Sequence, residues 1–204
     1  LMWLASDHLN VAAAVRCLAS RVSAPRQIDW QRAKRVARFL ARDQELWLGP
    51  VASERGAKAG DIVVHCDASW DHQSVTGAVV YVAIGDGTSG KPNLCVLQGV
   101  SRKQSLVSMS SMEAELYSLG LATCLGQGWV HELDQAFPGV PRSIIVRSDS
   151  TAAIAAARKK GVSGRTRHLD MRIRFIRKAL EPGGCMVLGS VPGIRNVADQ
   201  LQSV

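Results

Sequence analysis

The sequence predicts an α/β protein in which a mixed β-sheet is flanked by helices. Short segments rich in β-branched residues, typical of strands, occupy 61–66, 77–84, 94–100, 143–148 and 185–191. Apolar residues at helical spacing predict helices at 110–135, 151–160 and 166–180. A short closing helix is predicted near 197–199. Three adjacent strands followed by alternating helices and strands favour a mixed sheet over an all-α or all-β fold.

The first part of the chain is predicted to form helices of its own. Apolar residues recur at helical spacing from Val11 to Leu18 and again from Trp30 to Leu40, and Pro25 separates the two stretches. Asp29 stands where it can cap the second helix. Gly49-Pro50 and the small and charged residues after it are typical of a linker. We therefore divide the chain into a small helical segment at 1–48, a linker at 49–60 and the α/β domain at 61–204.

The composition favours a polyanionic partner. Lys and Arg total 25 against 17 Asp and Glu, which gives a formal net charge of +8. This balance favours nucleic acid first and an anionic membrane surface second. No charge-free run approaches the roughly 20 apolar residues of a membrane span, so we expect no membrane-embedded segment.

The cysteines and the beginning of the chain also predict a cellular context. The five cysteines are scattered and form no zinc-binding pattern, so we expect reduced, mostly buried thiols in an intracellular protein. The chain begins with Leu1 and shows no targeting pattern. We interpret it as a piece of a longer polypeptide.

Two aspartates follow two of the predicted strands. Asp67 shares a face of the first strand with Val63, and Asp149 shares a face of the fourth strand with Ile145. Open α/β sheets place their ligand sites at the carboxyl ends of strands. If the two strands are neighbours, both acids lie within reach of one metal ion. Each aspartate also has a simpler explanation, since Asp67 can begin a turn and Asp149 can cap the next helix.

The long predicted helix adds a third acid. At 100° per residue, Glu115 is in phase with Leu119 and Ala122, on the stripe that faces the core. A carboxylate on that stripe is costly unless it is paired or bound to a metal. Glu113 points away from the stripe, and we expect it to be solvated. Asp199, in the short last helix, is ambiguous by itself because surface helices often carry Asp.

Carboxylates that converge from separate elements can hold two divalent ions about 4 Å apart for phosphoryl transfer. Hard oxygen ligands of this kind suit Mg²⁺ or Mn²⁺. The sequence contains no GxSxG nucleophile elbow and no glycine-rich phosphate loop. The acids therefore favour metal-dependent phosphoryl chemistry over a serine nucleophile or a nucleotide-binding loop.

A second cluster is basic. Residues 158–178 contain nine Lys or Arg and one acid, Asp170. Ile173 and Ile176 are expected to anchor the helix of this region to the core, which leaves Arg174, Arg177 and Lys178 largely outward. Because so few acids compensate the charge, we interpret this region as a phosphate-contact surface. The basic residues of the second N-terminal helix are interpreted as a solvated face.

Five motifs carry a resemblance to a known family. They are HCDASW, SMSSMEAELYSL, VRSDSTAAIAAA, GRTRHLDMRIRFIRKAL and VPGIRNVADQL. In this order and spacing they are similar to the ribonuclease H region of copia-type retrotransposon Pol polyproteins. Upstream, LMWLAS, VAAAVRCLASRV and IDWQRAKRVARFLA resemble the helical C-terminal end of the reverse transcriptase in those polyproteins. The paired aspartates of the polymerase are not in the sequence, so this chain is not predicted to be a reverse transcriptase by itself.

The resemblance implies a ribonuclease H-like five-stranded mixed sheet and a metal-dependent endonuclease that cuts the RNA strand of RNA/DNA hybrids. It implies two Mg²⁺ ions, with Mn²⁺ as a substitute, and it places the four-acid catalytic and metal site on Asp67, Glu115, Asp149 and Asp199. In the family's scheme Asp67 bridges both ions. The implied partners are an RNA/DNA hybrid and the reverse transcriptase of the polyprotein, in the cytoplasm within a virus-like particle or in the nucleus. Our candidate nucleic-acid contacts are Ser69, Ser111, Arg165, Arg167, His168, Arg174, Arg177 and Lys178.

Two other interpretations of the sequence stay open. The chain can be a catalytically inactive or repurposed nucleic-acid-binding remnant of such an element, which keeps the fold and the basic surface. It can also be a structural protein that inherited transposon sequence. Four acids show that a chain is able to bind metal, and cleavage of a hybrid separates the three interpretations.

Overall fold

The computed structural model describes residues 8–42, 56–71, 73–85, 92–159 and 169–201. The described residues contain five strands, which are β1 Ile62–Ser69, β2 Val75–Ile84, β3 Asn93–Lys103, β4 Ile144–Ser148 and β5 Met186–Ser190. They form one sheet in the order β3-β2-β1-β4-β5. β2 pairs antiparallel with both β1 and β3, whereas β4 pairs parallel with both β1 and β5. The predicted five-stranded mixed sheet flanked by helices is confirmed.

The described helices are α1 Leu9–Ala19, α2 Gln27–Arg42, α3 Ser111–Ala136, α4 Thr151–Arg158 and α5 Asp170–Leu180. The predicted closing helix is a pair of short 3-10 helices, Gly193–Arg195 and Val197–Leu201. Most of the predicted linker and the predicted start of α5 lie outside the described residues. No helix in the described part of the chain is both long enough and apolar enough to cross a membrane.

One face of the sheet carries the main core. Ile62, Val64 and Cys66 of β1 alternate with the residues of the opposite face and are fully buried under α3, α4 and α5. Leu116 and Leu119 of α3 pack into the same cluster. This packing fixes the side of the sheet from which α3 approaches the end of β1.

The other face is covered by the beginning and the end of the described chain. Val63 of β1 and Tyr81 of β2 form a second buried cluster with Ala12 of α1 and Leu201 of the last 3-10 helix. Leu9 of α1 lies where a side chain at Gly99 of β3 would be, so the absence of a Cβ there lets α1 lie directly on the strand. The helical segment predicted at 1–48 therefore packs against the α/β sheet through α1.

The first turn of α3 is held by a capping box. Ser110 Oγ accepts a hydrogen bond from the backbone N–H of Glu113, and the Glu113 carboxylate accepts one from the N–H of Met109 at 2.7 Å. Glu113 is consequently buried. The expectation that Glu113 is solvated was wrong, because a carboxylate at the third helical position turns back onto the backbone that precedes the helix.

The second N-terminal helix begins with a related arrangement. Asp29 lies within the first turn of α2 and accepts hydrogen bonds from the backbone N–H and the side chain of Arg26. Asp29 therefore stabilises the start of the helix from inside the first turn rather than from the capping position before it.

The cysteine expectation holds only in part. All five cysteines are unpaired thiols, but only Cys66 is buried, while Cys124 and Cys185 are exposed. Burial raises the pKa of the Cys66 thiol well above its ordinary value.

Candidate metal centre

The candidate site lies where the parallel pairing of β1 and β4 ends. The last paired residues are His65 of β1 and Arg147 of β4. Asp67 comes two residues after His65, on a strand that continues to Ser69 through its antiparallel pairing with β2. Asp149 directly follows the last residue of β4. Both aspartates thus stand at the carboxyl end of neighbouring strands, as open α/β sheets place their ligand sites.

Glu115 joins the two aspartates from the helix that covers the main core. One carboxylate oxygen each from Asp67, Glu115 and Asp149 lies within 4.8 Å of the others. Asp67 and Glu115 are buried, and Asp149 is more exposed than either. The structure therefore brings three of the four predicted acids together from two strands and one helix.

Two hydrogen bonds hold this geometry. The buried hydroxyl of Ser118, one turn after Glu115 on α3, donates to the backbone carbonyl of Asp67 at 3.0 Å. The backbone N–H of Ala68 donates to Asp67 Oδ1 at 2.9 Å and also contacts the Glu115 carboxylate. Helix and strand are thus joined at the residues that carry the acids, so the spacing of the carboxylates is set by the main chain.

Burial and mutual repulsion change how the acids titrate. The pKa of Glu115 is raised to about 8, mainly by burial and in addition by the nearby Asp67 and Asp149 carboxylates. Burial and the Asp149 charge raise the pKa of Asp67 to about 6. The Asp67 and Glu115 side chains hydrogen-bond to each other, which lowers the pKa of Asp67 and raises that of Glu115. The pKa of Glu115 is therefore raised further than that of Asp67.

The donor set fits a divalent metal ion. Oε2 of Glu115 is buried and has no hydrogen-bond partner among the described residues. A buried oxygen without a partner is costly unless something binds it. Three carboxylates offer only hard oxygen ligands, the type that Mg²⁺ and Mn²⁺ prefer. A cation at this point would favour the ionised carboxylates and so offset both the burial and the mutual repulsion that raise the two pKa values.

The fourth predicted acid lies close to the other three without joining them. Asp199 is exposed on the last 3-10 helix and adds to the charge that raises the pKa of Asp67, but it is outside the three-carboxylate group. Gly77, the β2 partner of Asp67, explains the approach of this helix. A Cβ at Gly77 would collide with the carbonyl oxygen of Ala198, so glycine lets the 3-10 helix lie directly beside Asp67.

A buried asparagine anchors the same segment. The Asn196 side chain donates to the backbone carbonyl of Cys66 at 3.1 Å, and its oxygen accepts from the N–H of Ala198 at 3.3 Å. Gly193, at the start of the same loop, lies beside the Asp149 carboxylate. The loop that leads to Asp199 therefore contacts the neighbourhoods of both strand-end aspartates.

The predicted nucleic-acid contacts have different positions. Ser69 is half-buried, and its hydroxyl accepts a hydrogen bond from the N–H of Val75, while Ser111 is exposed at the start of α3. Arg174 and Lys178 are exposed on α5, and Arg174 pairs with Asp170 at 2.8 Å. The calls on Arg165, Arg167 and His168 lie outside the described residues.

The prediction that Arg177 points outward was wrong. Its guanidinium donates to the backbone carbonyls of Ala157 at 3.0 Å and Ala156 at 3.1 Å. These carbonyls lie in the last turn of α4, where the helix leaves its C=O groups without partners. Arg177 therefore ties α5 to the end of α4, because an arginine half-way between the core and the surface finds acceptors within the protein.

Three residues that position the site were not predicted. Gly77 interrupts an otherwise apolar strand, a signal for the close approach of another backbone. Asn196 stands in a polar loop and Ser118 on a long helix, and neither residue type is distinctive there. Only the structure shows that Ser118 binds the carbonyl of Asp67 and that Asn196 binds the carbonyl of Cys66, so that the two hydrogen bonds lie on either side of the Asp67 Cα.

Comparison with solved structures finds ribonucleases H1. LC11-RNase H1, isolated from compost by a metagenomic approach, gives a TM-score of 0.47 at 18% identity and covers 70% of this chain and 92% of its own. RNase H1 from Halobacterium salinarum NRC-1 gives a TM-score of 0.45 at 17% identity over 70% and 94%. A structure of LC11-RNase H1 in complex with RNA/DNA hybrid gives 0.44 at 18% identity over 69% and 93%.

No family model and no curated protein sequence matches the chain. The similarities to solved structures are too distant to indicate an activity. The case for a function therefore rests on the side chains of the site itself.

Proposed function

We propose that this protein is a divalent-metal-dependent endonuclease that hydrolyses the RNA strand of RNA/DNA hybrids. The observation that carries the proposal is the convergence of Asp67, Glu115 and Asp149 within 4.8 Å at the open end of a mixed sheet. Clustered carboxylates with a buried, unpartnered oxygen support phosphoryl transfer with metal assistance. The net charge of +8 supports a polyanionic substrate.

Asp67, Glu115 and Asp149 would hold the metal, and Asp199 stands nearest to complete the set. Two Mg²⁺ ions, or Mn²⁺ in their place, supply a more acidic attacking water and charge stabilisation of the leaving oxygen when bound at such carboxylates. Asp199 lies outside the three-carboxylate group, but its charge acts on Asp67, and we propose that it joins the set when metal is bound.

The chain's own residues prepare the site in two ways. Ser118 and Asn196 fix the main chain on either side of the Asp67 Cα, which holds the carboxylates without reorganisation during the reaction. Glu115, whose pKa is raised, would release its proton on metal binding, because a bound cation favours the ionised carboxylate. Metal binding and full ionisation of the pair would therefore be coupled at neutral pH.

The basic residues support substrate binding rather than chemistry. Arg174 and Lys178 project from α5 into solvent and can contact phosphates. We further propose that Ser69 and Ser111 contact the 2′-hydroxyl of the RNA strand. Ser69 lies two residues after Asp67 at the end of β1, and Ser111 is the first residue of α3. A hydroxyl on the substrate distinguishes RNA from DNA, and serine can both donate and accept a hydrogen bond.

The five sequence motifs support a wider context for this activity. We propose that the chain is part of a copia-type retrotransposon Pol polyprotein, with α1 and α2 from the end of its reverse transcriptase region. The activity would then act in the cytoplasm within a virus-like particle, or in the nucleus, on hybrids left by reverse transcription.

The test is a cleavage assay with three duplexes of one sequence. They are an RNA/DNA hybrid, an RNA duplex, and a DNA duplex in which DNA replaces the RNA strand of the hybrid. We expect cleavage of the RNA only in the hybrid and only with Mg²⁺ or Mn²⁺. Hybrid binding without cleavage under either metal would refute the nuclease proposal and favour a repurposed binding module.

A further inference from the structure

A basic cleft opens between the two N-terminal helices and the end of β3. It has a volume of about 490 Å³ and is lined by the cations Arg21, Arg32, Arg35 and Lys103 and by one acid, Asp29. These cations come from three parts of the chain. Arg21 follows α1, Arg32 and Arg35 belong to α2, and Lys103 is the last residue of β3. The sequence predicted that the basic face of α2 is simply solvated. In the structure, Arg32 and Arg35 of that helix line a concave surface together with Lys103 of the sheet.

The single acid of the cleft is already paired. Asp29 is buried and contacts the side chains of Arg26 at 3.3 Å and Arg32 at 3.8 Å. The N–H of Arg26 donates to the Asp29 carboxylate and lowers its pKa. Arg21, Arg35 and Lys103 therefore face the cleft with no second carboxylate on its lining. Among the described residues, Lys103 donates a hydrogen bond to the neutral side chain of Gln73 at 2.7 Å.

The cleft lies at the same end of the sheet as the three clustered acids. Lys103 pairs with Val75, and Val75 pairs with Ser69, two residues beyond Asp67. Two strand spacings place the backbones of Lys103 and Ser69 about 10 Å apart. Along the axis of a duplex, this distance corresponds to roughly three base-pair steps.

The N-terminal helices are fixed in this position by contacts with the sheet. Arg16 Nε of α1 donates to Ser101 Oγ of β3 at 2.8 Å, and the Ser101 hydroxyl donates to the carbonyl of Leu201. Arg16 thereby links α1 to β3 and to the 3-10 helix that carries Asp199. These hydrogen bonds fix the position of the cleft relative to the segment that carries Asp199.

Lys103 also connects the cleft with a second, smaller one. That cleft has a volume of about 170 Å³, and Lys103, Arg102 and Arg172 are its cationic lining residues. The guanidinium of Arg172 lies 3.7 Å from the ring centre of Tyr117, on the same helix as Glu115. Lys103 thus lines both clefts, and the smaller one reaches the helix that supplies Glu115.

We propose that this basic cleft binds the phosphate backbone of a double-stranded nucleic acid. The further step, that the bound duplex is the substrate whose RNA strand reaches the carboxylates, rests on the proposed function. The contacts are to phosphates alone, so binding is independent of sequence and strongly dependent on salt.

The experiment compares two triple variants of equal charge. Arg21→Gln, Arg35→Gln and Lys103→Gln remove from the cleft three cations that have no ion pair with Asp29 among the described salt bridges. The control variant carries Lys34→Gln, Arg38→Gln and Arg42→Gln, which remove three exposed cations of α2 that do not line it. Binding to an RNA/DNA hybrid and to a DNA duplex is measured by fluorescence anisotropy in EDTA over a salt series, and hybrid cleavage is measured separately with Mg²⁺.

We expect the cleft variant to make the plot of log affinity against log salt shallower by about 2 to 3, or roughly 0.7–0.9 per lost contact, for both duplexes. The control variant should keep at least most of the wild-type slope. Equal effects of the two variants, or no effect of either, would overturn the proposal. Equal competition by poly-glutamate of matched charge would also overturn it in favour of an acidic protein partner.

The two proposals fail in different ways. Loss of duplex binding in the cleft variant, together with no hybrid cleavage by the wild-type protein, supports the cleft and refutes the nuclease. Hybrid cleavage by the wild-type protein, with a salt slope that the cleft variant does not change, supports the nuclease and refutes the cleft. Circular dichroism of both variants controls for folding.

Discussion

The carboxyl groups of Asp67 and Glu115 hydrogen-bond to each other where the end of β1 meets the second turn of α3. Their pKa values are raised to about 6 and about 8, chiefly because both groups are buried beside a third carboxylate. Without a cation, ionising these two groups costs the folded protein stability. The arrangement therefore predicts how stability depends on pH and on metal.

Without a divalent ion, the free energy of unfolding should fall as pH rises from about 4 to about 8. In this window the folded protein holds protons on Asp67 and Glu115 that the unfolded chain has released at ordinary carboxyl pKa values. Glu115→Gln removes the main titrating group. We expect this variant, in EDTA at pH 8, to be more stable than the wild type by about 1–3 kcal/mol, and by less at pH 5.

Urea denaturation at the two pH values measures this difference. Glu132→Gln, an exposed position on the same helix, is the matched control and should show no pH-dependent change. A stability gap that is the same at pH 5 and pH 8 would mean that Glu115 titrates normally and that the carboxylates are not coupled.

Millimolar Mg²⁺ or Mn²⁺ should raise the melting temperature of the wild-type protein. A cation that binds only the folded state at ten times its Kd stabilises it by about 1.4 kcal/mol. Asp149→Asn should lose most of this effect, because the site then keeps only two of its clustered carboxylates. Thermal unfolding with and without the metal tests the site independently of catalysis, and equal metal responses of both proteins would contradict it.

The segment between β3 and α3 is predicted to depend on Gln104. This buried side chain donates to Thr76 Oγ1 at 3.0 Å and to the carbonyl of Ala114 at 2.9 Å, and it accepts from the Ser108 hydroxyl. Gln104→Leu leaves these three buried groups without partners and should cost about 1–3 kcal/mol. Cleavage should fall as well, since Ala114 precedes Glu115.

The exposed neighbour Ser105 provides the comparison. Ser105→Ala is expected to change stability by less than about 0.5 kcal/mol. If Gln104→Leu is equally mild, water replaces the network and the segment is not held by it.

Neighbouring cations on α5 are expected to behave differently. Arg177→Gln should lower stability by about 1–2 kcal/mol, because its guanidinium satisfies two carbonyls at the end of α4. The salt dependence of hybrid binding should stay unchanged in this variant. Lys178→Gln should leave stability nearly unchanged and make the salt slope shallower by about 0.7–0.9. Equal salt slopes for the two variants would contradict this division of roles.

The positions of the acids were readable from the sequence because they follow from backbone periodicity. Asp67 and Asp149 come where β-branched runs end, and the phase of Glu115 on its helix points it towards the core. Parallel pairing of β1 with β4 then brings the two strand ends together. Asp199 was predicted by resemblance alone, and it lies near the group rather than in it.

The burial of polar side chains that bond to the protein's own backbone was harder to predict. Glu113 is out of phase with the core, yet it is buried because it bonds to the backbone before α3. The Ser110-x-x-Glu113 spacing carried this information as a capping-box signature. The contact of Arg177 with α4 had no such local signature, because its partners lie some twenty residues earlier in the chain.

The basic cleft was equally out of reach from sequence. Arg32 and Arg35 could be assigned to one side of α2, but the contribution of Lys103 depends on how α1 lies along β3. Gly99 allows that approach by leaving room for Leu9, and a single glycine in a strand does not specify what will fill the space.

The most direct test of the central claim is hybrid cleavage by the wild-type protein and by Asp149→Asn, with Glu132→Gln as the control. The account predicts that the wild type and the control cut the RNA strand in Mg²⁺ or Mn²⁺. Asp149→Asn should lose at least about a hundredfold in rate while it binds the hybrid as tightly or slightly more tightly, since a negative charge near the phosphate is gone. Cleavage by Asp149→Asn at the wild-type rate, or no cleavage by the wild type with either metal, would contradict a catalytic role for the three clustered acids.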